Sequence, residues 1–288
     1  MILISTLGGL IALVSWGLSD YFAGKSGQQT SAILTSLVLQ SMGVVILLPV
    51  VLWRGMPLDL NVDILIIMVS AGFFTIAHIS FVKAMAIGPF GIAAPLANSY
   101  PLITLLVAAS MFHLQISLPR LLALSTIVAG VMLLVVDRTT LDHRTFRGTT
   151  IFFAVVTMVS WGFGFAIIDT VVTEFAWYQL LFLLSTFVAL FSFLFYVAAC
   201  GALPRWQLLR YSHMKHAWRA GFLGVVGAIG FFAASEHSGS VVIPAVIASG
   251  SPLATSILAY FQEKERLPLY KRGGAIVVLI GLVLLNVW

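Results

Sequence analysis

The sequence predicts an all-α polytopic membrane protein, with ten transmembrane helices arranged as a 5+5 inverted-topology repeat. Three observations predict it: a composition that only a bilayer can solvate, ten apolar runs of spanning length, and an internal repeat that divides them into two fives. Of 288 residues, 60% are hydrophobic and 9% charged, with a mean hydropathy of +1.08. A soluble domain carries about 45–50% apolar and about 25% charged residues. Charges this sparse cannot coat a water-soluble globule of 31.1 kDa. Ten helices of about 20 residues use most of the chain and leave only short loops. A formal charge of +5 would suggest nucleic acid in a soluble protein. Here the basic residues sit in loops between apolar runs, where they set orientation, and no nucleic-acid partner is expected. Cys200 is the single cysteine, so there is no internal disulfide, and no Cys/His spacing resembles a zinc site. No metal or cofactor is expected.

The first run, roughly 2–22, lacks a charged leader and a small-residue cleavage site, so it reads as a membrane helix and not as a removable signal. The second to fifth follow at roughly 31–53, 62–84, 89–112 and 119–137, each bounded by charge or by Pro/Gly clusters. The sixth to tenth lie at roughly 149–171, 176–200, 217–237, 240–261 and 268–288. Lipid leaves no backbone group unpaired, so each span is a helix or part of a closed barrel. Runs of this length without strict alternation favour helices. The fourth carries Pro95 and Pro101 around Asn98-Ser99-Tyr100, and the ninth carries Pro244 and Pro252 around Ser249-Gly250-Ser251.

Val14-Ser15-Trp16-Gly17 recurs as Val159-Ser160-Trp161-Gly162. Phe81, Gly88, Pro101, Thr104 and Gly130 recur in order as Phe232, Gly239, Pro252, Thr255 and Gly281. Each half then holds five helices, residues 1–140 and 147–288. An odd number makes the second half enter the membrane from the opposite side, an arrangement typical of secondary transporters. Of the 15 lysines and arginines, only Arg54 and Arg120 fall on the side that holds both termini. The positive-inside rule places the other side in the cytoplasm and both termini outside. A cell (inner) membrane, multi-pass location follows. Trp53, Trp206, Trp218 and Trp288 fall near run ends, the place of interfacial anchors.

Ser15-Trp16-Gly17 followed by Ser19-Asp20, and Tyr100-Pro101-Leu102-Ile103-Thr104, resemble the ten-helix EamA-type members of the drug/metabolite transporter superfamily. So do Ser251-Pro252-Leu253, Glu265-Arg266-Leu267, Gly274 and the closing Gly281-Leu282-Val283-Leu284. The resemblance spans nearly the whole chain. It departs at Leu114, where the first half lacks the acid of Glu-Arg-Leu, and in the absence of a basic C-terminal tail. It implies two EamA-like repeats around a central cavity and transport of small metabolites, amino acids among them.

An ionisable side chain inside a span is costly and is a functional hypothesis by default. His78 reads either as a substrate or proton ligand near neutral pH or as a packing histidine between helices. Asp20 and Lys83 both fall toward cytoplasmic helix ends. They read as a paired gate latch, offsetting each other's desolvation, or as two separately snorkelling side chains. Glu236 and His237, near Asp169, read as solvated mouth residues or as coupling groups. Proline frees a carbonyl and bends a helix, and matching interruptions in two halves point to a transporter site. The rival reading is a pair of packing kinks. Asn98 lies about 14 Å into the fourth run, near the middle of a core of about 30 Å, and Ser249 reaches the same depth in the ninth. Asn98, Ser99, Tyr100, Ser249 and Ser251 then orient a small polar substrate, with His78 beside them. Trp16 and Trp161 cover its apolar part or simply pack. Phe152, Phe182, Phe187 and Phe191 read as lipid-facing or core residues.

No Walker loop, His-Glu-x-x-His or nucleophile elbow is present, so the chain is not expected to be an enzyme or to use ATP. The expectation is a secondary active transporter, an exporter, working by alternating access with proton or substrate counter-flux. The alternatives are an intramembrane enzyme acting on lipid through His78 and a carboxylate, and a non-transporting helical scaffold. Two oppositely oriented halves argue for transport over both.

Overall fold

The computed structural model describes residues 2–56, 62–88, 90–111, 117–135, 148–204 and 209–263, with isolated helical positions between 273 and 284. The helices are α1 (Ile2–Gln29), α2 (Ala32–Arg54), α3 (Val62–Ile87), α4 (Phe90–Ala97), α5 (Tyr100–Met111) and α6 (Leu118–Val135). They continue with α7 (Gly148–Asp169), α8 (Trp177–Cys200), α9 (Tyr211–Ser238), α10 (Val242–Ala248) and α11 (Ser251–Glu263). Among the described residues no strand occurs. Most of the predicted tenth run, Glu265-Arg266-Leu267 and most of the loop 137–148 lie outside the described residues.

Among the described residues five helices are long and apolar enough to cross a membrane on their own: α2, α3, α7, α8 and α9. The fourth run is divided into α4 (8 residues) and α5 (12 residues), and the ninth into α10 (7 residues) and α11 (13 residues). None of these pieces alone reaches the length of about 20 residues that a crossing needs. The breaks fall at Asn98-Ser99 and Ser249-Gly250, each just before the residue that precedes a proline. Pro101 and Pro252 cannot donate a backbone bond, and proline is well tolerated at a helix start, where its N–H would be unpaired anyway.

α1 continues past the predicted end near residue 22, because Lys25 does not stop it; the charge lies in its final turns. α9 also begins early, but Met214 departs from helical geometry (φ −115°, ψ 22°), which separates a first turn from the predicted 217–237 span. α2 opens on Ser31, whose hydroxyl accepts the Leu34 N–H, and closes on Gly55 (φ +83°).

α1 packs chiefly along α9, and α3 along α7. α2 lies against α8. The broken helices lean on the same frame: α4 and α5 on α7, α10 and α11 on α1. Close approach there requires glycine. A Cβ on Gly17 would meet the Ser251 carbonyl oxygen and, at 2.6 Å, Ala254 Cβ; one on Gly162 would meet the side chain of Ile103. Thr255 Oγ1 donates to Gly17 O at 2.8 Å, and Thr104 Oγ1 donates to Gly162 O at 3.2 Å. The two repeated motifs of the sequence thus meet each other, tying each broken helix to the long helix beside it.

Candidate functional site

A cavity of about 130 Å³ lies at the centre of these helices. An engineered apolar cavity of about 150 Å³ accepts benzene, so the space suits one small molecule. Its walls are α1, α2, α3, α7, α8 and α9, and the α4–α5 break reaches it through Asn98 and Tyr100.

Aromatic rings make most of the wall. Trp161 packs edge-on to His78 (5.5 Å between centroids) and to Tyr100 (5.7 Å), and lies 5.0 Å from Phe81. Phe165 stacks on Tyr100 at 4.8 Å and meets Phe74 edge-on at 4.8 Å. Trp16 closes the ring 6.4 Å from Phe165, and its indole N–H donates to Gly224 O at 3.1 Å, which fixes the ring to α9. Ser19, one turn further, donates to Ala220 O at 2.8 Å.

The polar part is concentrated at the helix breaks. The Ser251 hydroxyl, at the start of α11, lies 3.3 Å from Asp20 Oδ2 and 3.1 Å from Asn98 Oδ1. Its single hydrogen serves one of these acceptors at a time. Asn98 Nδ2 donates to Ala94 O at 2.9 Å, and Asn98 is also a hydrogen-bond partner of the Asp20 carboxyl. Asp20, Asn98 and Ser251 are all buried. His78 Nδ1 donates to Phe74 O at 2.7 Å, since a carbonyl can only accept. That bond sets the neutral tautomer and leaves Nε2 as an acceptor.

The structure brings Trp16, Asp20, His78, Asn98, Tyr100 and Trp161 to one cavity. Ser251 stands directly behind it, bonded to two of its lining residues. Ser99 and Ser249 are buried but do not line it, and the Ser249 hydroxyl is spent on Val246 O at 2.7 Å. The Tyr100 hydroxyl donates to Ala245 O at 3.2 Å, which ties α5 to α10. Lys83 is exposed, and among the described residues it makes no ion pair with Asp20. Glu236 is exposed outside the cavity, where its Oε2 accepts the Trp177 N–H at 2.9 Å and caps α8. Asp169 does the same for α10 by accepting the Val241 N–H at 2.7 Å.

Phe165, Ser36, Gln40 and Ser185 line the cavity as well, and the sequence reading does not single them out. Gln40, an amide within an apolar run, carried a signal of its own. Phe165 carried none, since Phe is common throughout the second half. Of the phenylalanines read as lipid-facing or core, Phe152 is exposed, while Phe182, Phe187 and Phe191 pack on the core outside the cavity.

The family model for the EamA-like transporter family matches residues 3–136 and again residues 148–287. A solved structure, described only as the crystal structure of a protein, superposes with a TM-score of 0.71 at 16% identity. That match covers 97% of this chain and 95% of the other, and at this identity it shows a shared fold. No curated protein matches the chain.

Proposed function

Because the chain belongs to the EamA-like transporter family, we propose that it is a secondary active exporter of small metabolites, amino acids among them, working by alternating access around the central cavity. The observation that carries this reading is the meeting of two broken helices, one from each family-model match, behind a single cavity. Discontinuous helices at the junction of two repeats are where transporters of this kind hold substrate. The packing supports an inverted 5+5 arrangement, because exchanging each run for its counterpart five places on maps α1·α9 onto α7·α3. It likewise maps α1·α11 onto α7·α5.

Proton or substrate counter-flux supplies the energy in this reading. Of the gating or coupling candidates in the sequence, Asp20 and His78 line the cavity, Lys83 is exposed and Glu236 caps α8, so a proton route would pass by His78 rather than Glu236. The enzyme alternative would use His78 and a carboxylate as acid and base, and the paired helix breaks, which catalysis does not call for, favour transport.

The test is flux in proteoliposomes without nucleotide. Radiolabelled metabolites should accumulate against a concentration gradient when a proton gradient or a counter-substrate is imposed. Accumulation that requires ATP, or none in any loaded state for a well-folded protein, would overturn the reading.

A further inference from the structure

Among its described residues the cavity carries one carboxyl group and one titratable base, His78. Among the described residues its lining includes no lysine and no arginine, and its formally anionic residue is Asp20. The nearby cations are engaged elsewhere: Lys25 sits over the Tyr21 ring at 5.8 Å, Arg219 over Phe22 at 5.8 Å, and Lys83 is exposed. Asp20 is therefore a buried carboxyl whose donors are the neutral Ser251 and Asn98, and Ser251 divides its one hydrogen between two acceptors. When the His78 ring is neutral, its Nε2 is a further acceptor. Rings make most of the wall, and the one carboxyl group in it has only neutral partners.

We propose that the cavity recognises a protonated amine, the ammonium lying between the Asp20 carboxylate and the ring faces of Trp16 and Trp161, with the apolar part of the substrate filling the aromatic pocket. The proposal rests on the reading of this cavity as the transport site and narrows its substrate class. An ammonium supplies three donors and the missing positive charge to a buried carboxylate. Tryptophan offers the best ring face for a cation. A free carboxylate on the substrate is selected against, since it would bring a second anion beside Asp20 into a pocket whose described lining holds no lysine or arginine to meet it. The cavity of about 130 Å³ limits the remainder to about one ring on a short chain.

The test compares three molecules that share one ring and chain: 2-phenylethylamine, phenylalanine and 3-phenylpropionate. Their binding is measured at neutral pH on the full-length protein in lipid nanodiscs, for the wild type and for Asp20→Asn. The amine should bind most tightly, the zwitterion less and the acid least. Asp20→Asn should weaken the amine about tenfold or more, the size of one hydrogen bond to a charged group, without weakening the acid. Equal or tighter binding of phenylalanine or the acid overturns the proposal, as does wild type that does not bind the amine. Amine affinity unchanged in Asp20→Asn overturns it too. Should the variant fail to fold, the order of the three probes on the wild type decides alone. Counterflow of the amine in proteoliposomes separates the two claims. Ordered binding without flux retires the transport reading and keeps the amine site, whereas flux of other metabolites with no preference for the amine does the reverse.

Discussion

Ser251 holds together groups that are 231 and 153 positions away in the chain, Asp20 and Asn98. Removing its hydroxyl takes away the one hydrogen that the two buried acceptors share, at a cost of about 1–3 kcal/mol. Ser251→Val and Asn98→Ala are expected to lower flux about tenfold while the protein still reaches the membrane and elutes as a single species in detergent. Normal flux at normal yield would reduce the two breaks to packing kinks. Glu236 gives the opposite pattern. Glu236→Ala should lower thermal stability by about 0.5–2 kcal/mol through loss of the α8 cap, with flux per folded molecule unchanged, and Glu236→Gln should keep the cap because its amide oxygen still accepts. Asn98 and Ser251 were legible in the sequence, since polar residues beside proline in matching runs are rare enough to notice. The environment of Asp20 was not. Ending the first run near residue 22 puts the carboxyl at the membrane face, whereas the helix reaches Gln29 and sets Asp20 nine residues, about 14 Å, from that end. Asn98 stands eight residues, about 12 Å, from the start of α4, and so the two meet.

Helices in a bilayer gain nothing from burying apolar faces against one another, so close backbone approach and shared hydrogen bonds must hold them. Gly17 and Gly162 serve this purpose at equivalent places, each receiving a threonine hydroxyl from a broken helix. Gly17→Ala and Gly162→Ala should each destabilise the protein by about 1–3 kcal/mol through overpacking, read as a fall of several degrees in a fluorescence-detected melting assay. Gly72→Ala is the control: nothing lies within 4 Å of its Cβ position, and the helix should be unharmed or slightly firmer. Equal melting of all three variants would remove the glycine contacts from the account. The existence and order of the described helices were legible because apolar length is a strong signal. Partnership was not, since α1 and α9 both show apolar residues around most of their surface, and no periodicity says which face meets which neighbour.

At the scale of the whole molecule, the family model matches the chain twice, once in each half, and the charge asymmetry predicts how those halves are oriented. A C-terminal alkaline phosphatase fusion should be active and a C-terminal green fluorescent protein fusion dark, as both termini outside requires. The reverse result would invert the orientation while leaving the halves intact. The central claim is that the cavity between the halves opens alternately to each side of the membrane. Gln40 lines that cavity from α2, eight residues from the helix start, or about 12 Å. Gln40→Cys in a Cys200→Ser background leaves a single thiol there, open to a membrane-impermeant methanethiosulfonate reagent. Alternating access predicts labelling both in right-side-out and in inverted vesicles; a folded protein labelled from one side only, under every gradient imposed, would contradict it.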